Sequence, residues 1–84
     1  MSDLAAVEST IKQAASAFRV GMPARGNDAI VRLVTQLEQL LAAPGGEARA
    51  ELLLPQFGRI VEAQERGDSL AVADLLEYEL LPRL

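Results

Sequence analysis

The sequence contains no cysteine and no histidine, and these two absences exclude most catalytic and metal-binding chemistries. A chain without them has no disulfide bond, no thiolate nucleophile, no imidazole general base and no zinc site with cysteine or histidine ligands. The pair Gly45-Gly46 also lacks the following Gly-Lys-Ser/Thr of a phosphate-binding loop. We therefore expect a non-enzymatic protein that carries no cofactor and no metal ion.

The sequence also lacks a long hydrophobic run, so it predicts no membrane span. Its first residues do not show the basic and then apolar pattern of a signal peptide, so a cytoplasmic location is expected. The net charge is −4, which disfavours binding to nucleic acids and to anionic membranes. Arginine far outnumbers lysine, and alanine and leucine dominate, which we interpret as the codon usage of a GC-rich bacterial genome.

Half of the 84 residues are apolar, a high proportion for a small domain. A chain of this size buries only about 60–65% of the surface that its unfolded form exposes. Residues 1–84 are therefore expected to form one domain with apolar surface left over. Association with another protein, most simply as a homodimer, would cover that surface.

Proline and glycine divide the chain into helical blocks, and the first block is predicted from about Ser2 to Val20. Ser2 or Asp3 is expected to cap its start, and Gly21 is expected to end it in a left-handed conformation. Its apolar residues recur at spacings of three and four, which predicts one buried stripe formed by Leu4, Val7, Ile11, Ala14 and Phe18.

The second block is expected to begin at Asn27 or Asp28, because both are good N-cap residues. The loop before it is predicted from Met22, Pro23 and Gly26. The block ends at about Ala43, ahead of the run Pro44-Gly45-Gly46. Its apolar arc is wider than that of the first block and comprises Ala29, Ile30, Leu33, Val34, Leu37, Leu40 and Leu41.

The third block is predicted from about Glu47 to Arg66 and contains Pro55. A proline inside a helix removes a backbone donor and clashes with the preceding turn, so a kink or a restart is expected near Leu54. A kink is favoured because the apolar arc continues in phase across the proline, through Ala50, Leu53, Leu54, Phe57, Ile60 and Val61.

The pair Gly67-Asp68 predicts a tight connection to a fourth block, which runs from Ser69 to about Leu81 and stops at Pro82. Gly67 would close the third helix and Asp68 would cap the fourth. Such a short connection makes the two helices antiparallel neighbours. The predicted fold is therefore all-α: a small antiparallel up-down bundle of four helices, with the third kinked at Pro55. The alternative is three helices and a fragment, if the third block breaks.

The fourth block carries apolar residues on two faces. Val72, Ala73, Leu76 and Leu80 form one arc, and Ala71, Leu75 and Tyr78 form another. A helix that is apolar on two sides is buried inside its own bundle or lies between the bundle and a partner. Ala71, Leu75 and Tyr78 are accordingly the predicted interface residues, with packing inside the bundle as the alternative.

Two groups of charged residues suggest binding or chemistry. Arg19, Arg25 and Arg32 surround the first loop, next to the start of the second helix, where a phosphate or carboxylate could bind. Asp74 and Glu77 share one helix face and could ligate a hard cation or act as acid and base. A carboxylate-based enzyme could use this pair or the pair Glu62 and Glu65. The alternative in each case is an ordinary solvated surface.

The segment from Gly67 to Pro82 resembles the end of short uncharacterised bacterial helical proteins. The shared pattern is a Gly-Asp turn, an Ala-Asp-Leu-Leu-Glu-Tyr-Glu-Leu helix and a proline. The segment Ala17–Gly21 is similar to the same proteins. The resemblance covers about a fifth of the chain at its C-terminal end, and it implies a bacterial accessory or adaptor protein without assigning any functional residue.

The leading hypothesis is a protein-interaction module, such as a small bacterial adaptor, a dimerisation unit or a chaperone-like accessory protein. Its mechanism would be the burial of an apolar helix face against a partner. A second hypothesis is a sensor of small anions that uses Arg19, Arg25 and Arg32.

Overall fold

The computed structural model describes residues 3–84, and every element in that range is helical. Helix α1 spans Asp3–Arg19, α2 spans Pro23–Ala42, α3 spans Gly46–Glu65 and α4 spans Ser69–Asp74. The winding continues from α4 as a π-helical segment and a final 3₁₀ turn, Leu75–Leu80 and Leu81–Arg83. The prediction of an all-α fold with four helices is confirmed. The predicted cap at Ser2 lies outside the described residues.

The core lies where α1 meets α2 and the C-terminal helix, by which we mean α4 together with its π-helical continuation. The predicted stripe of α1 is buried from Val7 to Phe18, while Leu4 packs at its edge. Helix α3 contacts the C-terminal helix and has a smaller contact with α2. The largest fully buried side chains come from all four helices: Val7, Ile11, Leu33, Leu53, Ile60, Val72, Leu76 and Leu80.

The turn between α3 and α4 has the geometry that its two residues predict. Gly67 has a φ of +71°, a left-handed conformation that costs glycine little because it has no Cβ. Its amide donates to the carbonyl of Gln64, and the Asp68 amide donates to that of Ala63, which is the Schellman pattern. The Asp68 side chain then accepts a hydrogen bond from the amide of Ala71 (3.1 Å) as the N-cap of α4.

The predicted start of α2 is wrong, because the helix begins at Pro23 rather than at Asn27 or Asp28. Proline is favoured in the first turn, where its missing N–H has no helical partner in any case. Gly26 is not a loop residue either, since it is buried inside the helix against the ring of Phe18. A Cβ at this position would lie 2.6 Å from Cε2 of Phe18. The glycine therefore lets α2 approach α1 closely.

Helix α3 continues through Pro55 without interruption, so the alternative of three helices and a fragment is not observed. The predicted limits of this helix, Glu47 and Arg66, each lie within one residue of the observed ones, Gly46 and Glu65. The C-terminal helix ends at Leu80, within one residue of the predicted limit of about Leu81. Pro82 lies in the 3₁₀ turn that follows, Leu81–Arg83.

The π-helical segment is a feature that the apolar pattern did not predict. In it the Leu81 amide donates to the carbonyl of Leu76, five residues earlier. Residues four apart share a face in this winding as they do in an α-helix, and Leu76 and Leu80, which are spaced in this way, are both fully buried.

None of the helices in residues 3–84 combines the length and the hydropathy needed to cross a bilayer.

Candidate functional site

Arg19, the last residue of α1, joins that helix to the C-terminal helix. Its Nε donates to Oε1 of Glu77 (3.0 Å), and its Nη2 lies 3.1 Å from Oδ1 of Asp74. Its guanidinium carbon lies 5.6 Å from the centre of the Tyr78 ring, within the range of a cation–π contact. Three side chains of the C-terminal helix thus surround one cation. Asp74 and Glu77 do share a face as predicted, and both face Arg19.

The two carboxylates keep Arg19 firmly protonated. The hydrogen bond to Glu77 is the main cause that raises the pKa of the guanidinium above its usual value, and Asp74 adds to it. A raised pKa on a cation stabilises the fold at every pH below the usual value, and the contribution would be lost only in strong alkali. This ion pair therefore gives the protein no pH-sensitive switch near neutrality.

Replacing Arg19 with glutamine should lower the melting temperature by an amount that shrinks at high salt. The pairs are partly exposed, so their attraction is screened when the Debye length falls to about 3 Å at about 1 M salt. Thermal unfolding followed by circular dichroism at low and high NaCl measures the effect. Arg25→Gln is the control, because it removes the same charge without an ion pair among the described residues. Equal losses for Arg19→Gln at both salt levels would contradict this explanation.

The other two predicted anion-binding residues, Arg25 and Arg32, lie in a surface groove between α1 and α2 with a volume of about 750 Å³. The structure does not bring Arg19 into this groove. It adds Lys12 instead, which the sequence analysis did not select. Nη2 of Arg32 donates to Oε1 of Gln13 across the groove (3.2 Å), so this position is fixed relative to α1. We call this surface the α1–α2 groove.

Charge in the α1–α2 groove is opposite to that of the whole chain. Three cations and one carboxylate, Glu8, line it, which gives a local charge of +2 against −4 for the protein. Among residues 4–84, no carboxylate oxygen lies within 4 Å of the charged nitrogens of Lys12, Arg25 or Arg32. Val20 and Met22 give one end of the groove an exposed apolar surface.

The three predicted interface residues differ in exposure. Ala71 and Leu75 are half-buried and pack against the edge of the core. Tyr78 keeps 63% of its surface exposed, with its ring under Arg19. Ala71 and Leu75 also line a shallow depression together with Arg59 of α3 and with Arg66, the residue that follows α3.

Several aliphatic side chains that the sequence placed in apolar arcs are exposed. Val34 of α2 and Leu54 and Val61 of α3 all exceed a third exposed, although each was assigned to the apolar arc of its helix. Of the apolar arc of α3 only Leu53 and Ile60 are fully buried, so the side of the helix that carries Leu54 and Val61 stays uncovered. Val31, next to Val34 on α2, is more exposed still.

Within residues 4–84, no group of three or more acidic side chains is placed to hold a metal ion. Comparison with known proteins gave no match: no family model, no curated protein and no solved structure is detectably similar to this chain.

Proposed function

We propose that the protein is a non-enzymatic interaction module that buries an apolar helix surface against another protein, in the first instance a second copy of itself. The observation that carries the proposal is the set of exposed aliphatic side chains on α2 and α3, at Val31, Val34, Leu54 and Val61. We call this set the aliphatic strip. A contiguous exposed apolar patch on a small protein is typical of a protein–protein contact.

An antiparallel arrangement of α2 and α3 would bring the four residues into one strip. Two observations support it: only three residues connect the helices, and Nε2 of Gln64 donates to Oδ1 of Asn27 (3.0 Å) at their other ends. From Asn27, steps of four and three residues lead along α2 to Val31 and Val34. From Gln64, steps of three and seven lead back along α3 to Val61 and Leu54. The same argument supports the up-down bundle as a whole.

A second copy of the chain is the preferred partner because an apolar strip is complementary to itself. Two-fold dimers join the same patch of each subunit, and apolar side chains can meet their own kind without charge repulsion. Gly58 lies between Leu54 and Val61 in the helix and has no neighbouring atoms where a Cβ would be. It leaves a gap into which a partner side chain can fit.

The residues predicted from the sequence contribute less to this proposal. Ala71 and Leu75 are partly buried against the core of their own chain, so Tyr78 is the one residue of the three with a large exposed area. The proposed contact therefore centres on α2 and α3, with Tyr78 outside it. The choice among an adaptor, a dimerisation unit and a chaperone-like protein follows from what the strip binds.

Sedimentation velocity across a hundredfold range of concentration tests the proposal, with Leu54→Glu as the variant. We expect the unmodified protein to form a dimer and Leu54→Glu to weaken dimerisation by about tenfold or more, because a charge would be buried without a partner. Circular dichroism should show an unchanged helical fold, since Leu54 is exposed in the monomer.

Leu52→Glu is a closely matched control for this experiment. Leu52 and Leu54 belong to the same helix and are 54% and 53% exposed, but they lie on different sides of it. Leu52→Glu should leave the dimer intact. Equal effects of the two variants, or a monomer at every concentration, would count against the aliphatic strip as a self-interface.

A further inference from the structure

The α1–α2 groove offers a second binding surface, on a different face of α2 from the aliphatic strip. Arg25, Ala29 and Arg32 face the groove, while Val31 and Val34 lie on another side of the helix. The three groove cations have no ion-pair partner within residues 4–84, and in that range Arg49 is the one cation outside the groove that also lacks a partner. Arg19, Arg59, Arg66 and Arg83 each lie within 4.0 Å of a carboxylate. Cations held together without counter-charges, on an acidic protein, create a local attraction for an anionic ligand.

We propose that the α1–α2 groove binds an acidic peptide segment of a partner protein. The inference rests on the proposed function as an interaction module, and it names the chemistry of a partner other than a second copy. The carboxylates of the segment would pair with Arg25 at one end and with Arg32 and Lys12 further along. An apolar residue of the segment would pack on Val20 and Met22.

The spacing of the cations favours a linear ligand over a compact one. Arg25 and Arg32 are seven residues apart on α2, which separates their Cα atoms by about 10.5 Å along the helix axis. In a polyproline II-like segment, carboxylates three residues apart lie on the same side and about 9 Å apart, so each can pair with one arginine. The groove volume of about 750 Å³ also exceeds what an inorganic anion fills.

The other lining residues distinguish an acidic peptide from a nucleic acid. No aromatic ring lines the groove, so bases would have no surface on which to stack. Glu8 lies at the far end and would repel a continuous phosphate backbone, whereas a peptide can place a neutral or basic residue there. The two ends of the groove differ, so a peptide would bind in one orientation. The exposed Val20 and Met22 lie at the loop end, and the hydrogen bond from Arg32 to Gln13 lies further along.

Fluorescence anisotropy at low salt tests the proposal. The probe is a labelled peptide with one leucine near an end and glutamates three residues apart after it. We expect saturable binding that the double variant Arg25→Glu/Arg32→Glu weakens at least about tenfold. The same peptide with lysine in place of each glutamate should not bind the unmodified protein, and it should bind the double variant.

The double variant Arg59→Glu/Arg66→Glu is the matched control, because it changes the net charge equally at exposed arginines outside the groove. It should change the affinity by less than about threefold. Equal weakening by the two double variants, no binding by the unmodified protein, or tighter binding of inorganic phosphate or a single-stranded oligonucleotide would each overturn the proposal. Leu54→Glu should bind the peptide normally, so loss of dimerisation and loss of peptide binding are separable results.

Discussion

Leu76→Ala lowers the free energy of unfolding by about 2–5 kcal/mol, the largest effect that we expect from a single truncation. Leu76 has no exposed surface, and it lies in the π-helical segment where the C-terminal helix packs between α1 and α3. Truncation removes the favourable free energy of transferring those atoms from water into the core, and it leaves a cavity in a small core. Urea denaturation followed by circular dichroism measures the loss, with the midpoint as the direct readout.

Tyr78→Ala is the comparison within the same segment. Tyr78 is 63% exposed, so its truncation should cost far less than that of Leu76, in spite of the lost contact with Arg19. The measurement should be made at a concentration where the protein is monomeric, because association would stabilise both variants. Similar losses at the two positions would mean that the Tyr78 ring is buried as well, which would contradict the winding of the C-terminal helix.

Gly26→Ala destabilises the protein by about 1–3 kcal/mol, the usual cost of forcing extra volume into a packed core. Alanine is otherwise the better helix former, so the expected sign comes entirely from the Phe18 ring, which lies 2.6 Å from the position of the new Cβ. The same substitution at Gly58 meets no atom within 4 Å and should stabilise the monomer by about 0.5–1 kcal/mol.

The two glycine variants control for each other, because both change a helical glycine to alanine. Thermal unfolding should show melting temperatures that move in opposite directions. In a protein that already carries Phe18→Leu, adding Gly26→Ala should lower the melting temperature less than Gly26→Ala does in the unmodified protein. The reason is that the ring that obstructs the new Cβ is gone. Destabilisation by Gly58→Ala in the monomer would contradict an open surface at that position.

The features predicted most accurately from the sequence are those whose causes are local. The turn at Gly67 and Asp68 needs only a residue that tolerates positive φ and a carboxylate that caps the next helix. The stripe of α1 likewise follows from spacings within one helix. Pro23 and Gly26 misled the prediction because proline suits either a loop or a first helical turn, and because Gly26 is explained by a ring on another helix. No local signal in the sequence reveals that contact.

The candidate sites were predictable as residues but not as groups. Arg19 was assigned to an anion site and Asp74 to a carboxylate pair, yet the two meet in one ion pair across 55 positions of the chain. Lys12 was not predicted as a binding residue, and only the register between α1 and α2 places it in the same groove as Arg32. The π-helical segment was not predicted because the apolar pattern was interpreted with an α-helical period throughout. Exposure of Leu54 and Val61 depends on how far neighbouring helices reach, which periodicity does not encode.

The contact between α1 and the C-terminal helix has a consequence for the order of folding. Helices α1 and α2 are separated by three residues and can pair as soon as both form, as can α3 and α4 across their short turn. Docking α1 on the C-terminal helix instead closes a loop of more than fifty residues, and the entropic cost of closing a loop increases with its length. We therefore expect two helical hairpins to form early and to join late, so that the contacts of Arg19 with the C-terminal helix form in the last step of folding.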